Sequence, residues 1–353
     1  MYDFSESIGS FLKSALRHCS TVVPFSFFLF LFCTHTAAAQ HDTSFYISYP
    51  RNITSRLYLS RKFTSVRIKD KDYTLNYTPN TTLNLGIGAT YRWATLNLAY
   101  GFGFLNPDRG QGKTKYLDLQ FHNYGRKILV DFFGQFYRGF FLPPKGYATS
   151  ADRYYVRPDL RVNEIGFSTQ YVLNYKKLSY RASFLQNEWQ KRSAGSFLMG
   201  LEFYTGRLRA DSTIVPTSVN KEIAYSQLQR IRFTQLGPNV GYVYTFVYKK
   251  NFFLTGSATI SLTFGRSDFE SRDGFNSVSG FSSNTFFRIF GGYNSSRWAI
   301  SILFISNGVK LASGDDLRSV QVNTGNFRLN YIRRFYPGRK VRKFLKPVRE
   351  IKM

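Results

Sequence analysis

Few side chains in this sequence could support acid–base or nucleophilic chemistry. Two of the four histidines fall within residues 1–39, which have the features of a signal peptide, so export would leave only His41 and His122. A nucleophilic serine needs a general base within hydrogen-bond reach, and Ser306 followed by Asn307 ends an apolar segment. We therefore take Ser306, Asn307 and His122 as the one polar grouping that could form a catalytic site.

The sequence around Ser306 argues against that activity. Residues 304–308, FISNG, resemble the His-x-Ser-Asn motif of outer-membrane lipid hydrolases such as lipid A deacylases and phospholipases. Phe304 stands at the histidine position and cannot accept the serine proton. Asn-Gly is also a common turn signal. The sequence therefore predicts a protein that is not an enzyme, with lipid hydrolysis as an alternative.

The sequence predicts no metal site and no cofactor. No cluster of His, Asp or Glu has the spacing of metal ligands. The Gly-x-Gly patterns at 86–88 and 101–103 alternate within predicted strands and precede no helix, so they are not nucleotide-binding loops. Both cysteines, Cys19 and Cys33, would be removed with the signal peptide, which leaves a mature chain without thiols.

The N-terminus predicts export. Lys13 and Arg17 precede an apolar run at 22–32, and the small-x-small pattern of Ala37 and Ala39 predicts cleavage between Ala39 and Gln40. The run is too short for a transmembrane helix. The predicted organisation is therefore a signal peptide at 1–39, a periplasmic lead-in at 40–55, an outer-membrane barrel at 56–336 and a basic periplasmic tail at 337–353.

Apolar residues alternate with small or polar residues in the predicted strands, and these strands would have to position any functional site. In residues 81–104, Leu85 and Ile87 alternate with Gly86 and Gly88, and the pattern resumes after a break at Arg92. Successive side chains of a strand point to opposite faces, so this segment is predicted to be a hairpin with one apolar face. An apolar face outside and a small or polar face inside are typical of membrane β-barrels.

Comparable segments recur along the chain, joined alternately by tight and long connections. They include predicted strands at 178–189, 222–233 and 240–248, and an even strand number would put both ends in the periplasm. The 36 Phe and 25 Tyr suit a lipid-facing surface with aromatic girdles. We predict an all-β fold, a transmembrane antiparallel up-and-down β-barrel of about fourteen strands, with about twelve as the alternative.

The net charge of +27 suggests contact with polyanions, although most of the lysines and arginines are expected simply to line barrel rims and turns. Because an exported protein rarely meets nucleic acid, we expect outer-membrane lipid and lipopolysaccharide as partners, with the barrel-assembly machinery and a small solute as further candidates. A charge that faces lipid at mid-bilayer is costly. Charged residues on strands are therefore predicted to line the lumen, and the candidates are Asp118, Asp131, Arg138 and Glu202.

Several segments also resemble an uncharacterised exported family. They are residues 116–120 (YLDLQ), 125–127 (GRK), 135–140 (QFYRGF), 157–159 (RPD) and 193–196 (SAGS). These segments are similar to the domain of unknown function 4421, found mainly in Bacteroidota-type bacteria, and the resemblance covers nearly the whole mature chain. It implies an outer-membrane barrel and supplies neither an activity nor a functional residue.

The leading functional hypothesis is a non-enzymatic pore or transport barrel in the outer membrane. It predicts ion conductance in planar bilayers, and a barrel that conducts nothing and has a lumen filled with side chains would contradict it. The alternatives are the lipid-acting hydrolase and a structural or adhesion barrel that acts through outer loops such as residues 142–160. The hydrolase requires His122 to lie within reach of Ser306.

Overall fold

A computed structural model describes residues 41–71, 73–92, 94–148, 150–216, 227–272, 274–313 and 319–345. The predicted cleavage residues Ala37, Ala39 and Gln40 lie outside these ranges, as do residues 222–226 of one predicted strand. Within the described ranges, no helix is long and apolar enough to span a membrane.

Strands form most of the described chain. They are β1 (Tyr46–Ser48), β2 (Ile53–Lys69), β3 (Thr74–Tyr77), β4 (Asn84–Tyr91), β5 (Ala94–Tyr100), β6 (Lys115–Tyr124), β7 (Ile128–Leu142), β8 (Tyr155–Val172), β9 (Glu188–Gln190), β10 (Ala194–Arg209), β11 (Leu228–Tyr248), β12 (Phe252–Ser271), β13 (Gly274–Asn294), β14 (Trp298–Lys310) and β15 (Ser319–Phe335). The helices are a 3-10 turn (Gly103–Leu105), α1 (Tyr180–Phe184) and α2 (Arg339–Phe344), the last within the basic tail.

The large sheet is antiparallel and follows the order β5-β4-β2-β15-β14-β13-β12-β11-β10-β8-β7-β6, while β3 pairs with β2. The predicted all-β, antiparallel up-and-down barrel fold is confirmed, and the sheet path holds twelve strands, the lower of the two predicted numbers. Two predicted strands account for the difference. Residues 178–189 contain α1 and β9 instead of a barrel strand, and the described part of 222–233 joins 240–248 in the single strand β11.

The barrel has two distinct ends. We call the end that holds Ile53 and Phe335 the terminal end, and the opposite end, with the long β7–β8 and β10–β11 connections, the loop end. At the loop end, β3 pairs with residues 66–69 of β2, and Thr78 exchanges backbone hydrogen bonds of 2.8 and 2.9 Å with Phe141 of β7. These contacts close the sheet there.

Closure is incomplete toward the terminal end. The sheet ends at β5 on one side and at β6 on the other, and no backbone hydrogen bond joins these two strands in the described part of the chain. We call this unpaired boundary the seam. At its loop-end apex, the Thr82 Oγ1 and Tyr116 hydroxyl groups are hydrogen-bonded at 2.6 Å.

Strand β12 shows why the two faces of the wall differ. Its outward side chains are apolar from Phe252 to Phe264 and exposed, after which Arg266 and Asp268 form an exposed ion pair. Apart from Phe253, the inward residues over the same stretch are small, polar and buried, namely Thr255, Ser257, Thr259, Ser261 and Thr263. The apolar stretch covers about 40 Å of strand, or about 28 Å in height at a tilt of about 45°, which is the height of a bilayer core.

Candidate functional site

The barrel interior is closed at the terminal end by the connection between β8 and β10. Residues 178–190, which we call the plug, contain α1 and β9, and β9 pairs with β1 in a small separate sheet. Ser179 starts α1 because its side-chain oxygen accepts a hydrogen bond from the Ala182 amide at 3.0 Å. Plug residues such as Ser183 and Gln186 are 1% exposed, so the segment fills the interior.

Hydrogen bonds from inward-facing wall residues hold the plug. Three plug side chains bond the wall: Tyr180 to Ser257 at 2.6 Å, Ser183 to Thr255 at 2.7 Å and Gln186 to Ser301 at 2.8 Å. The wall in turn donates to plug carbonyls, from Arg56 to Leu185 at 3.0 Å and from Arg334 to Gln186 at 2.7 Å. These contacts reach β2, β12, β14 and β15, so the plug is attached on several sides by polar groups.

A buried ion pair lies in the middle of the interior. Arg288 Nη2 is 2.5 Å from Asp131 Oδ2, and both side chains are inaccessible to solvent. The other Asp131 oxygen lies 2.5 Å from His122 Nδ1 and accepts the Tyr124 hydroxyl at 2.8 Å, while Arg288 also donates to Gln170 at 3.1 Å. A buried charge pair is tolerated only with such additional hydrogen bonds.

Further polar side chains cross the interior toward the loop end. The Glu202 carboxylate accepts hydrogen bonds from Ser261 at 2.5 Å and from Asn284 at 2.7 Å. Asn307 on β14 donates to the Tyr204 hydroxyl on β10 at 3.0 Å. The lumen is therefore filled by side chains at this level, and the described residues do not form the water-filled channel of an open pore.

Glu164 and Gln135 are the least satisfied groups of the interior. They are register partners on β8 and β7, and each is 0% exposed. The polar side-chain atoms of both residues have no hydrogen-bond partner among the described residues. Buried polar groups are normally hydrogen-bonded, so this pair is where a polar ligand would gain most from binding inside the barrel.

The loop end of the interior is closed by apolar packing. Residues from β2, β3, β8, β10, β11 and β15 point inward here and are almost fully buried, namely Val66, Ile68, Leu75, Tyr77, Leu160, Val162, Leu208, Ile231, Val320 and Val322. Ile214 and Val215, in the connection after β10, join them. The Tyr77 hydroxyl donates to the Ile214 carbonyl. We call this cluster the loop-end core.

Three of the four predicted lumen charges face the interior. They are Asp131, Glu202 and Asp118, the last hydrogen-bonded to Tyr137 at 2.5 Å and ion-paired with Lys62 at 3.4 Å. Arg138 was predicted to face the lumen, and this prediction is wrong. The odd-numbered residues from 129 to 137 of β7 point inward, so Arg138 lies on the outer face, where it donates to the Pro158 carbonyl at 3.3 Å.

The predicted grouping of Ser306, Asn307 and His122 is not assembled. Asn307 points inward and is buried, so Ser306, its neighbour on the same strand, points outward. His122 is inside and engaged with Asp131. Alternation along β14 therefore separates the serine from the histidine.

Sequence reasoning missed the plug. Its alternating Leu178, Tyr180 and Ala182 imitate a strand, and no local signal reveals that these side chains pack inside the barrel. Ser179 preceding α1 was the available hint, because serine is a favoured residue at a helix start. Among the described residues, no group of His, Cys, Asp or Glu could hold a metal ion.

Fold and interior together define a plugged antiparallel β-barrel. A family model described as Domain of unknown function (DUF4421) matches residues 40–335. The chain belongs to this family, which confirms the resemblance seen in the sequence. No curated protein matches the chain.

Solved structures with weak overall similarity include the outer membrane protease OmpT from Escherichia coli. It is 10% identical, with 82% of this chain and 98% of that chain covered and a TM-score of 0.37. The Pseudomonas putida toluene transporter TodX is 8% identical, with 79% and 89% covered and a TM-score of 0.26. A Pseudomonas aeruginosa FadL homologue is 8% identical, with 80% and 90% covered and a TM-score of 0.25. These scores are too low to support an inference about function.

Proposed function

We propose that this chain is an outer-membrane β-barrel that acts as a plugged transport barrel and has no enzymatic role. The apolar exterior with charged residues beyond it supports a place in a bilayer, and the signal peptide predicted from the sequence supports export. In that location, outer-membrane lipid, lipopolysaccharide and the barrel-assembly machinery are its expected partners. The single observation that carries the transport role is the polar plug inside the terminal end.

A polar plug is suited to movement. Each of its hydrogen bonds to the wall can be exchanged for one to water, at a net cost of about 1 kcal/mol. Movement of residues 178–190 out of the terminal end would expose the small, polar residues 255–263 of β12 and would leave the side chains farther inside, up to the loop-end core, as the remaining closure. A structural or adhesion barrel would instead keep the plug fixed.

Planar-bilayer conductance tests this function. We expect the wild-type barrel to be closed for most of the time, and a variant with residues 178–190 replaced by a Gly/Ser segment of equal length to conduct. The control replaces the exposed residues 107–110 by Gly/Ser and should remain closed. Heat-modifiable migration on gels would verify that each variant is folded.

A reversible disulfide between the plug and the wall distinguishes a plug that moves during transport from a plug that stays fixed. The mature chain has no cysteine, and the Ser183 and Thr255 side-chain oxygens are 2.7 Å apart. In the S183C/T255C double variant, oxidation should abolish the openings of the wild type, and a reductant should restore them. A folded plug-replaced barrel that does not conduct would refute the proposed function.

A further inference from the structure

The seam leaves strand edges unpaired within the apolar exterior. The outward residues Leu96, Leu98 and Tyr100 of β5 are 65%, 59% and 68% exposed. The inward residues of β5, Asn97 and Ala99 among them, are exposed as well, whereas the inward face of β12 is buried. Irregular or unpaired backbone at membrane depth is tolerated only where it is buried in protein or lines a polar cavity. The seam is therefore a place where the interior can meet the membrane.

Arg56 and Arg328 lie in the interior behind β4 and β5, and we call them the arginine pair. Arg56 is 6% exposed and donates to Asn97 Oδ1 at 3.2 Å and to Thr90 Oγ1 at 2.7 Å, which are side chains of β5 and β4. The Arg328 guanidinium lies 4.5 Å from the centre of the Tyr58 ring. Its Nε is buried and has no hydrogen-bond partner among the described residues.

Two glycines bring this cluster to the seam. Gly86 and Gly88 on β4 are register partners of Tyr58 and Arg56 on β2. A Cβ at Gly86 would clash with the Tyr58 ring, and one at Gly88 would clash with Asn97 Oδ1 and lie 3.0 Å from Arg56 Cγ. The absence of these Cβ atoms lets Tyr58 extend across β4 and donate to the Leu98 carbonyl of β5 at 3.2 Å. Arg328, stacked on Tyr58, is therefore held close to the β5 edge.

The arginine pair lacks an anionic partner. The ion pairs of the described residues involve Lys62, Arg126, Arg157, Arg181, Arg230, Arg266, Arg288 and His122, and neither Arg56 nor Arg328 is among them. Buried charges are normally paired, because removal from water is costly. Arg288, which is fully buried where Arg328 is half-buried, shows the normal arrangement with Asp131.

We propose that the arginine pair binds the anionic headgroup of an amphiphile whose acyl chain passes through the seam into the apolar surroundings of β5 and β6. The charge of the arginine pair selects a carboxylate or a phosphate. The apolar outer faces of the two edge strands, with Leu98 on β5 and Leu119 on β6, receive the chain. This inference concerns a binding site in the wall and does not depend on movement of the plug.

Equilibrium binding in phosphatidylcholine nanodiscs tests the site. The probes are radiolabelled myristate and monotetradecyl phosphate, with tetradecyltrimethylammonium and inorganic phosphate as competitors. We expect saturable binding of the anionic amphiphiles and no competition by the cation or by inorganic phosphate. The probe that binds with the higher affinity shows whether the natural ligand is a fatty acid or a phosphorylated lipid.

The arginine variants test the headgroup contact. Arg328→Gln has no plug contact to disturb, and it should weaken binding about tenfold, as expected for loss of one charged hydrogen-bonding partner. Arg56→Lys keeps the charge and should lose less affinity than Arg56→Gln. The control, Arg67→Gln, lies exposed on β2 and should bind as the wild type does.

A bulky substitution tests the path of the chain. Ala99→Trp would fill the inner face of the seam and should reduce binding, whereas Ala258→Trp on the outer face of β12 should not.

Unchanged affinity in Arg328→Gln and Ala99→Trp would overturn the proposal. Equal competition by the cationic amphiphile would also overturn it, because that result means simple partition into lipid. Equal competition by inorganic phosphate would show that the site binds a soluble anion and would overturn the proposal of an amphiphile.

Discussion

The two ends of the barrel interior are closed by different proportions of polar and apolar contact. The loop-end core packs mainly apolar side chains against one another, and admitting water to it would cost a large free energy. The plug meets the wall through hydroxyl, amide and guanidinium groups, which water can replace, together with the packing of Tyr180 and Phe184 on Phe290. The difference indicates that the loop-end core determines stability, while the plug is the part that can be displaced.

The largest effect on stability is expected in the loop-end core. Ile68→Ala removes a fully buried side chain and leaves a cavity, so the free energy of unfolding should fall by about 3 kcal/mol. Urea titration of the barrel in lipid vesicles measures this loss. Conductance of the variant should stay as low as that of the wild type, because the plug is untouched.

Arg67→Ala is the matched control for that prediction. Arg67 is the neighbour of Ile68 on β2 but points outward and is exposed. Its substitution should change the free energy of unfolding by less than about 0.5 kcal/mol. Increased conductance in Ile68→Ala would contradict the comparison, since it would make the loop-end core the gate.

A smaller loss of stability and a clear gain of conductance are expected at the plug. Arg334 is 4% exposed and donates to Gln186 O, to the Ser295 carbonyl and to Asn294 Oδ1. Arg334→Gln removes these bonds and should lower the free energy of unfolding by about 2 kcal/mol. Planar-bilayer recordings should show more frequent openings. A variant that is destabilised but closed would mean that Arg334 only stabilises the terminal end.

A single hydrogen bond between the plug and the wall should contribute still less to the free energy of unfolding. A double-mutant cycle with Ser183→Ala and Thr255→Ala should give a coupling free energy of about 1 kcal/mol. The control is the exposed pair Thr205 and Thr234, whose side-chain oxygens are 2.9 Å apart on the outer face. Its coupling should be below about 0.5 kcal/mol. Equal coupling in both pairs would show that burial inside the barrel does not strengthen the plug contact.

The wall of the barrel could be predicted from the sequence because each strand carries its own signal. On β12, alternation alone separates the apolar outer face from the polar inner face, and the same rule places Asp131 and Glu202 inside. The prediction for Arg138 was wrong because it used residue type alone. Gln135 and Tyr137 point inward, and alternation along β7 would therefore have placed Arg138 outside.

The plug and the full length of β11 could not be predicted, because each depends on contacts distant in sequence. Gly237 and Pro238 read locally as a turn, yet β11 continues through them, with Pro238 opposite Leu201 on the outer face. Apolar and polar residues alternate in the segment 178–190 as they do in a strand. Hydrogen bonds to Thr255, Ser301 and other wall residues nevertheless hold this segment inside the barrel. The two errors each added one strand, so the predicted strand number remained even.

Among the substitutions inside the barrel, the smallest effect should occur at Glu164, between the two closures. Its carboxyl has no hydrogen-bond partner among the described residues, so Glu164→Gln keeps the shape and removes no protein contact. The free energy of unfolding should change by less than about 1 kcal/mol. Glu202→Gln, the same substitution at a carboxylate bonded to Ser261 and Asn284, should cost more in the same urea titration. A larger loss at Glu164 would mean that a bound cation or another charged ligand relies on this carboxylate, and the polar interior would then be a binding site as well as a path for the plug.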